Sequence, residues 1–228
     1  MMLCAWEELP KEMRLKEVRP YYEVLARHKV QLVIKRCFDV ITACILLILL
    51  SPLFLILAIA IKLDSPGDVF YRQIRVGQYG KHFKIFKFRS MVTGADKSGS
   101  LVTVKSDDRV TRVGRFIRKY RLDEISQLID VFRGTMTFVG TRPEVPKYVS
   151  KYTDVMMATL LLPPGVTSQA SIEFKDEEKL LACKESVEEV YIRKVLPKKM
   201  EYNLNGIMNF SVISDIGVMV KTVVAVVK

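Results

Sequence analysis

The sequence predicts an α+β fold, mostly helical, with a short β-hairpin, on a membrane-associated chain. Three observations carry that prediction. The run "VITACILLILLSPLFLILAIAI", Val40 to Ile61, holds no charge and exceeds the roughly 20 apolar residues that cross a bilayer as a helix. The segments "VFYRQIRVG" and "KHFKIFKFRSM", rich in aromatic and branched residues, flank "QYG" as hairpin strands flank a turn. In "YRLDEISQLIDVF", apolar residues recur at helical spacing. Composition agrees: 50% of the 228 residues are hydrophobic, yet the formal net charge is +11. That pairing fits a protein that touches a membrane and handles anions, either lipid headgroups or phosphates. A nucleic-acid binder shares the basic charge but not the apolar excess.

Several chemistries are excluded. Cys4, Cys37, Cys44 and Cys183 form no CxxC pair and no metal-ligand spacing, which fits a reducing compartment. His28 and His82 are far apart and lack a partner motif, so no zinc site is expected. No GxxxxGK[ST] loop and no Ser-His-Asp arrangement is visible.

The N-terminal stretch mixes charges with Trp6, Leu9, Tyr21 and Tyr22 and is interrupted by Pro10 and Pro20. It reads as helix lying at a membrane surface or in solvent. The apolar run follows. Lys35 and Arg36 precede it and Lys62 closes it, so flanking charge does not select one side. Pro52 removes a backbone hydrogen bond and clashes with the preceding turn, so the helix kinks or breaks at Ser51-Pro52. A kinked span and a re-entrant loop both satisfy these residues. The freed backbone groups need a partner, and the Ser51 hydroxyl is one candidate.

"DSPGD" then makes a turn into the hairpin. Its second strand interleaves Lys84, Lys87 and Arg89 with Phe83, Phe86 and Phe88, a pattern suited to a phosphate or nucleotide and equally to a half-buried strand. "VTGADKSGSLVTVKSDDRV" reads as a surface loop. Beyond it, Arg112, Arg115 and Arg118 recur every third residue on one helical stripe, with Val113, Phe116 and Ile117 opposite. Arginine matches phosphate oxygens bidentately, so this face is a candidate polyanion site.

In the next helix, Leu122, Ile125, Leu128, Ile129 and Phe132 share a face, and Asp123 and Glu124 lie off it. Asp123 suits an N-cap, and acids suit the start of a helix. The arginines nearby also stabilise a charged carboxylate, which can act as a nucleophile or hold a divalent metal on a diphosphate. "GTRPEVP" is a rigid turn that presents Arg142. In the C-terminal third, "LPPG" is a turn, Asp176 to Glu178 start a solvated helix, and a helix stops at Pro197 before another begins. The last segment, "SVISDIGVMVKTVVAVVK", carries Asp215 and Lys221 and reads as a surface amphipathic element.

"KRCFDVITACILLILLSPLFLILAIAI", "GKHFKIFKFRSM", "RLDEISQLIDVFRG" and "FVGTRPEVP" occur in that order. Together they resemble the bacterial sugar transferases, the monotopic phosphoglycosyl transferases that start surface-glycan assembly. The resemblance covers Lys35 to about Gly165 and, more weakly, the C-terminus, at the family's minimal size. It implies transfer of a phosphosugar from a UDP-sugar to a polyprenyl phosphate, typically undecaprenyl phosphate, with Mg2+ as cofactor and release of UMP. Asp123 is then the covalent nucleophile, Glu124 a supporting acid, and both lie near the metal. Lys87, Arg89 and Arg142 are the implied substrate-binding residues, and Arg118 and Arg121 of the arginine-dense span are added to them as candidates for the phosphates. Many members read "PRP" where this chain has Thr141-Arg142-Pro143.

The resemblance also implies a re-entrant membrane helix broken at Ser51-Pro52 in a bacterial inner membrane, with the catalytic domain on the cytoplasmic face. The expected division is an N-terminal interfacial segment (1–34), the membrane segment (35–62), the catalytic domain (63–200) and a C-terminal interfacial segment (201–228). Expected partners are UDP-sugar, polyprenyl phosphate and membrane lipid, with no nucleic acid. The rival reading is a membrane-anchored basic module that binds anionic lipid or nucleic acid without catalysis, with Asp123 only a cap.

Overall fold

The computed structural model describes residues 3–95, 107–174 and 187–227. Asp176 to Glu178, Cys183 and the middle of the polar loop lie outside these residues. The architecture is mostly helical, with one antiparallel hairpin and a short parallel strand pair.

Two short 3-10 turns, Trp6–Glu8 and Lys11–Met13, lead into α1 (Arg19–Arg27). Leu9, Met13, Val18 and Leu25 turn inward and pack with Leu32, Leu160, Leu161 and Ile207. Tyr22 is buried too, and its hydroxyl donates to the Cys4 carbonyl at 2.9 Å. The N-terminal stretch is thus tied into the core.

Helix α2 (Lys29–Leu49) begins well before the apolar run, and α3 (Ser51–Asp64) follows after a break at Leu50. The pair is bent by 61°. Among the described residues no single helix is long and apolar enough to cross a membrane, whereas α2 and α3 pass that test together. The chemistry of the break is local. Pro52 has no N–H to offer the Ile48 carbonyl, and the Ser51 hydroxyl donates to that carbonyl instead, at 2.8 Å. The inward face of α2 carries Leu32, Lys35, Asp39 and Ala43 at helical spacing. Its outward side carries Val30, Ile34, Phe38, Ile41 and Ile45 in the open, and α3 exposes Leu55, Ile56 and Ile59.

Strands β1 (Phe70–Val76) and β2 (His82–Phe88) form the expected hairpin, with Phe70 opposite Phe88 and Val76 opposite His82. Helix α4 (Arg112–Lys119) starts on Asp64, the last residue of α3, which accepts from the Val113 N–H at 2.8 Å. Ile117 is buried beneath it, but Phe116 is exposed, so the predicted apolar face of α4 is narrower than its sequence implies. A 3-10 helix (Leu122–Gln127) runs into α5 (Leu128–Arg133). Because that turn repeats every three residues rather than 3.6, the register shifts and Phe132 ends up exposed.

Strand β3 (Thr137–Val139) pairs in parallel with β4 (Gly165–Thr167), and α6 (Pro146–Val149) and a 3-10 helix (Val155–Leu161) lie between them. The pairing needs glycine: a Cβ on Gly165 would sit 2.2 Å from the Gly140 nitrogen. Short α7 (Gln169–Glu173) follows β4.

The helix expected to stop at Pro197 instead continues. α8 (Val187–Val190) passes through a π-helical turn (Tyr191–Val195) into α9 (Leu196–Met208). The turn before Pro197 is π-helical, with the Leu196 N–H on the Tyr191 carbonyl five residues back, and the chain passes the proline without leaving the helix. Helix α10 (Val212–Val227) turns Asp215 inward and leaves Ile213, Ile216, Val220 and Val223 exposed along one stripe.

Candidate active site

The two acids sit where α4 ends. Arg121 adopts a left-handed conformation, with φ of 53°, which stops α4 and redirects the chain into the 3-10 helix. Asp123 therefore lies inside the first turn and is not its N-cap, a correction to the helix-cap expectation. Leu122 and Ile125, three apart, pack inward with Ile117, Leu57 and Phe88. That anchors the turn and leaves Asp123 and Glu124 to face the hairpin.

Asp123 lines a cavity of about 450 Å³ between the hairpin, α4 and the start of the polar loop. The size suits a small-molecule ligand, for which about 300–1,000 Å³ is usual. The wall is strongly cationic. Lys87, Arg89 and Arg118, all predicted site residues, line it together with Arg72, Arg75 and Arg109. Burial pushes the Asp123 carboxyl above its ordinary value, and the adjacent Glu124 charge adds to that, while Lys87 and Arg118 pull it back down.

Glu124 has a different role. Its Oε1 accepts from Lys87 Nζ at 3.0 Å, and its carboxylate forms a forked pair with Arg142, with Nη1 at 3.2 Å from Oε2 and Nη2 on Oε1. Burial alone would raise its pKa, but Arg142 and then Lys87 overcome that and hold the carboxyl far below its usual range. The forked geometry is the strong form of a guanidinium–carboxylate bond. Arg142 is held in turn by its own turn. Arg75 donates to the Pro143 carbonyl at 2.9 Å, and Tyr191 donates to the buried Glu144 carboxylate at 2.5 Å.

The structure thus brings Asp123, Lys87, Arg89 and Arg118 to one cavity and places Glu124 and Arg142 just behind Lys87. Arg121 is exposed and does not line the cavity. Arg89 lines the wall, but its guanidinium holds the end of α3: it donates to the carbonyls of Ser65 at 2.7 Å and Pro66 at 2.5 Å, and to the Thr93 hydroxyl at 3.0 Å. Sequence reasoning missed Arg72, Gln73 and Arg75 of β1. The period-2 alternation of β1 was the available signal, since Tyr71, Gln73 and Arg75 share one face and all line the cavity.

Among the described residues no three His, Cys, Asp or Glu side chains cluster as a metal cage. Mg2+ commonly uses one or two carboxylates with substrate phosphates completing its shell. Asp123 fits that pattern. Glu124 does not, because two cations already bracket it.

A second cavity, of about 420 Å³, lies between the β3–β4 pair and the last two helices and reaches neither acid.

The sequence profile of the family described as "Bacterial sugar transferase" matches residues 30–228. The chain is 35% identical, over 198 residues, to the UDP-glucose:undecaprenyl-phosphate glucose-1-phosphate transferase of Klebsiella pneumoniae; the match covers 85% of this chain and 40% of that protein. It is 35% identical, over 193 residues, to the UDP-N-acetylgalactosamine-undecaprenyl-phosphate N-acetylgalactosaminephosphotransferase of Aeromonas hydrophila, covering 83% of this chain and 43% of the relative. An exopolysaccharide production protein of Rhizobium leguminosarum bv. phaseoli is 46% identical over 112 residues, covering 49% of this chain and 56% of that one. The chain thus spans less than half the length of the first two.

Proposed function

The chain belongs to the bacterial sugar transferase family, and on that premise we propose that it moves a phosphosugar from a UDP-sugar to polyprenyl phosphate, releasing UMP. One observation carries the proposal: the Asp123 carboxylate faces a cavity walled by arginine and lysine, with Lys87 and Arg118 acting on it and Asp68 the other acid on the lining. A half-buried acid among so many cations is poorly explained as structure and well explained as a nucleophile for a diphosphate.

In the proposed reaction an Asp123 oxygen forms a bond to the sugar-bearing phosphorus, and the bond from that phosphorus to the bridging oxygen breaks. UMP leaves with the electron pair, and an aspartyl-phosphosugar remains. A phosphate oxygen of the polyprenyl acceptor then attacks the same phosphorus, which yields the polyprenyl diphosphosugar and restores the carboxylate. No general base is needed once Asp123 is ionised. Its raised pKa makes ionisation the condition for activity, and Lys87 and Arg118 favour the charged form. The same cations offset the charge of the diphosphate. Mg2+, held by Asp123 and the diphosphate, would neutralise charge on the leaving group. Glu124 orients Lys87 and Arg142 and is not itself a metal ligand in this account.

The acceptor is a lipid, so the site must meet a membrane. The bent α2–α3 pair, with apolar side chains outward on both arms, is read here as a re-entrant loop that enters and leaves one leaflet on the cytoplasmic face of the inner membrane. The apolar stripe of α10 extends that surface.

The test is purified protein with a panel of UDP-sugars, polyprenyl phosphate and Mg2+. UMP release with at least one donor is expected, and its identity names the sugar. A broad panel with no UMP release would leave the basic-module reading standing.

A further inference from the structure

We infer that Lys35, Arg36 and Asp39 of α2 are positioning residues for the Asp123–Glu124–Arg142 site, while Asp215 of α10 only offsets the buried charge of Lys35. The inference rests on the transferase reading above.

Cationic residues just before an apolar run are ordinarily topology signals that sit in water or among headgroups. Lys35 does neither: it is 4% exposed. Its ammonium donates to the Val139 carbonyl at 2.9 Å and to Asp215 Oδ2 at 2.5 Å. One helical turn on, Asp39 is 1% exposed and accepts from the Thr137 hydroxyl at 2.6 Å and the Phe138 N–H at 3.3 Å. One face of α2 therefore grips each residue of β3. Gly140 and Thr141 then lead directly to Arg142, the partner of Glu124.

Arg36 grips the other side of the site. Its guanidinium donates to the carbonyls of Val131 at 2.7 Å and Phe132 at 3.0 Å, at the end of α5. Helix α5 continues the turn that carries Asp123 and Glu124. Gly134 closes α5 with φ of 88°, and a Cβ there would lie 3.1 Å from Arg36 Nη2, so the guanidinium occupies the space glycine leaves. The helix that begins the bent apolar pair thus fixes both ends of the Glu124–Arg142 ion pair. Burying these charges is costly unless each is paired or hydrogen-bonded; Lys35 pairs with Asp215, and Arg36 and Asp39 are satisfied by hydrogen bonds.

Two variants separate positioning from simple stability. Lys35→Met and Asp215→Asn both break the ion pair, and both should melt lower than wild type. Only Lys35→Met also frees the Val139 carbonyl. At a temperature where both are folded, Lys35→Met should lose about tenfold or more in turnover at saturating donor, as small misplacements of reacting groups do. Its KM for UDP-sugar should change little, and the peptide spanning residues 137–142 should exchange amide hydrogens faster. Asp215→Asn should keep most of its turnover and wild-type exchange in that peptide. Equal turnover losses in the two, or wild-type exchange in Lys35→Met, overturns the inference. Should Lys35→Met not fold, the double variant Lys35→Met/Asp215→Leu replaces the pair with apolar groups, which buried pairs commonly tolerate. It should show the same loss, and full recovery of turnover would also overturn the inference. If wild-type protein releases no UMP from any donor, the transferase reading fails, and the exchange comparison still decides the positioning claim.

Discussion

Glu124→Gln is the perturbation whose size follows most directly from the geometry. The substitution keeps the shape and removes one negative charge from between Lys87 and Arg142. At an effective dielectric of about 20, opposite charges 3 to 4 Å apart attract by about 4–5 kcal/mol. Much of that is offset by the cost of taking the carboxylate out of water. Glu124 is 18% exposed and Arg142 37%, so the site is not fully buried. The net loss should fall near 2–4 kcal/mol, between exposed and buried pairs. For a chain of this size that lowers the melting temperature by about 5–15 °C at pH 7.

Two pH signatures accompany it. The Glu124 carboxyl titrates far below its ordinary value of 4.5, so its stabilisation is complete above that pH and is lost as the pH falls. The acid-side fall in stability should therefore be shallower in Glu124→Gln than in wild type. Glu124 also raises the Asp123 pKa, and its removal leaves Lys87 free to lower it further. The acid limb of the rate profile should move to lower pH even as the plateau rate drops. Thermal melts from pH 2 to 8 and a pH–rate profile in detergent measure both. An unchanged melting temperature together with an unmoved acid limb would refute the role given to Glu124.

The arginines divide by position. Arg118→Ala should cut donor turnover by about tenfold or more, because Arg118 lines the cavity, whereas Arg121→Ala should stay near wild type in steady-state UMP release. Arg121→Gly should raise the melting temperature slightly, since glycine adopts the left-handed turn without the cost of about 1 kcal/mol or more borne by other residues. Single cysteines before Lys35 and after Lys62, in a background without accessible native cysteines, should both react with an impermeant thiol reagent from the same side of the membrane. Labelling from opposite sides would show that α2 and α3 span the bilayer.

Much of the site was legible in the sequence because its signals are local. Density of arginine marked α4, interleaved aromatics marked β2, and apolar periodicity located the Asp123 turn. What the sequence hid depends on long-range pairing. Glu124 meets Arg142 only because β3 returns the chain past α5, and β3 and β4 are too short and too glycine- and proline-bound to show a period. Arg89 looks like any basic strand residue until the end of α3 arrives beneath it. The N-terminal aromatics read alike whether a membrane or a protein core receives them, and here Leu9, Met13 and Tyr22 meet the core. Lys35 and Arg36 are the sharpest case: as letters they flank an apolar run, and in the fold they reach β3 and α5.

The central claim is that Asp123 carries the phosphosugar, and intact-protein mass spectrometry after brief incubation with the preferred UDP-sugar and Mg2+, without lipid acceptor, tests it most directly. A mass increase of one phosphosugar is expected; it should map to Asp123, disappear on addition of polyprenyl phosphate and be absent from Asp123→Asn. Turnover by Asp123→Asn, or an adduct on another residue, would contradict it.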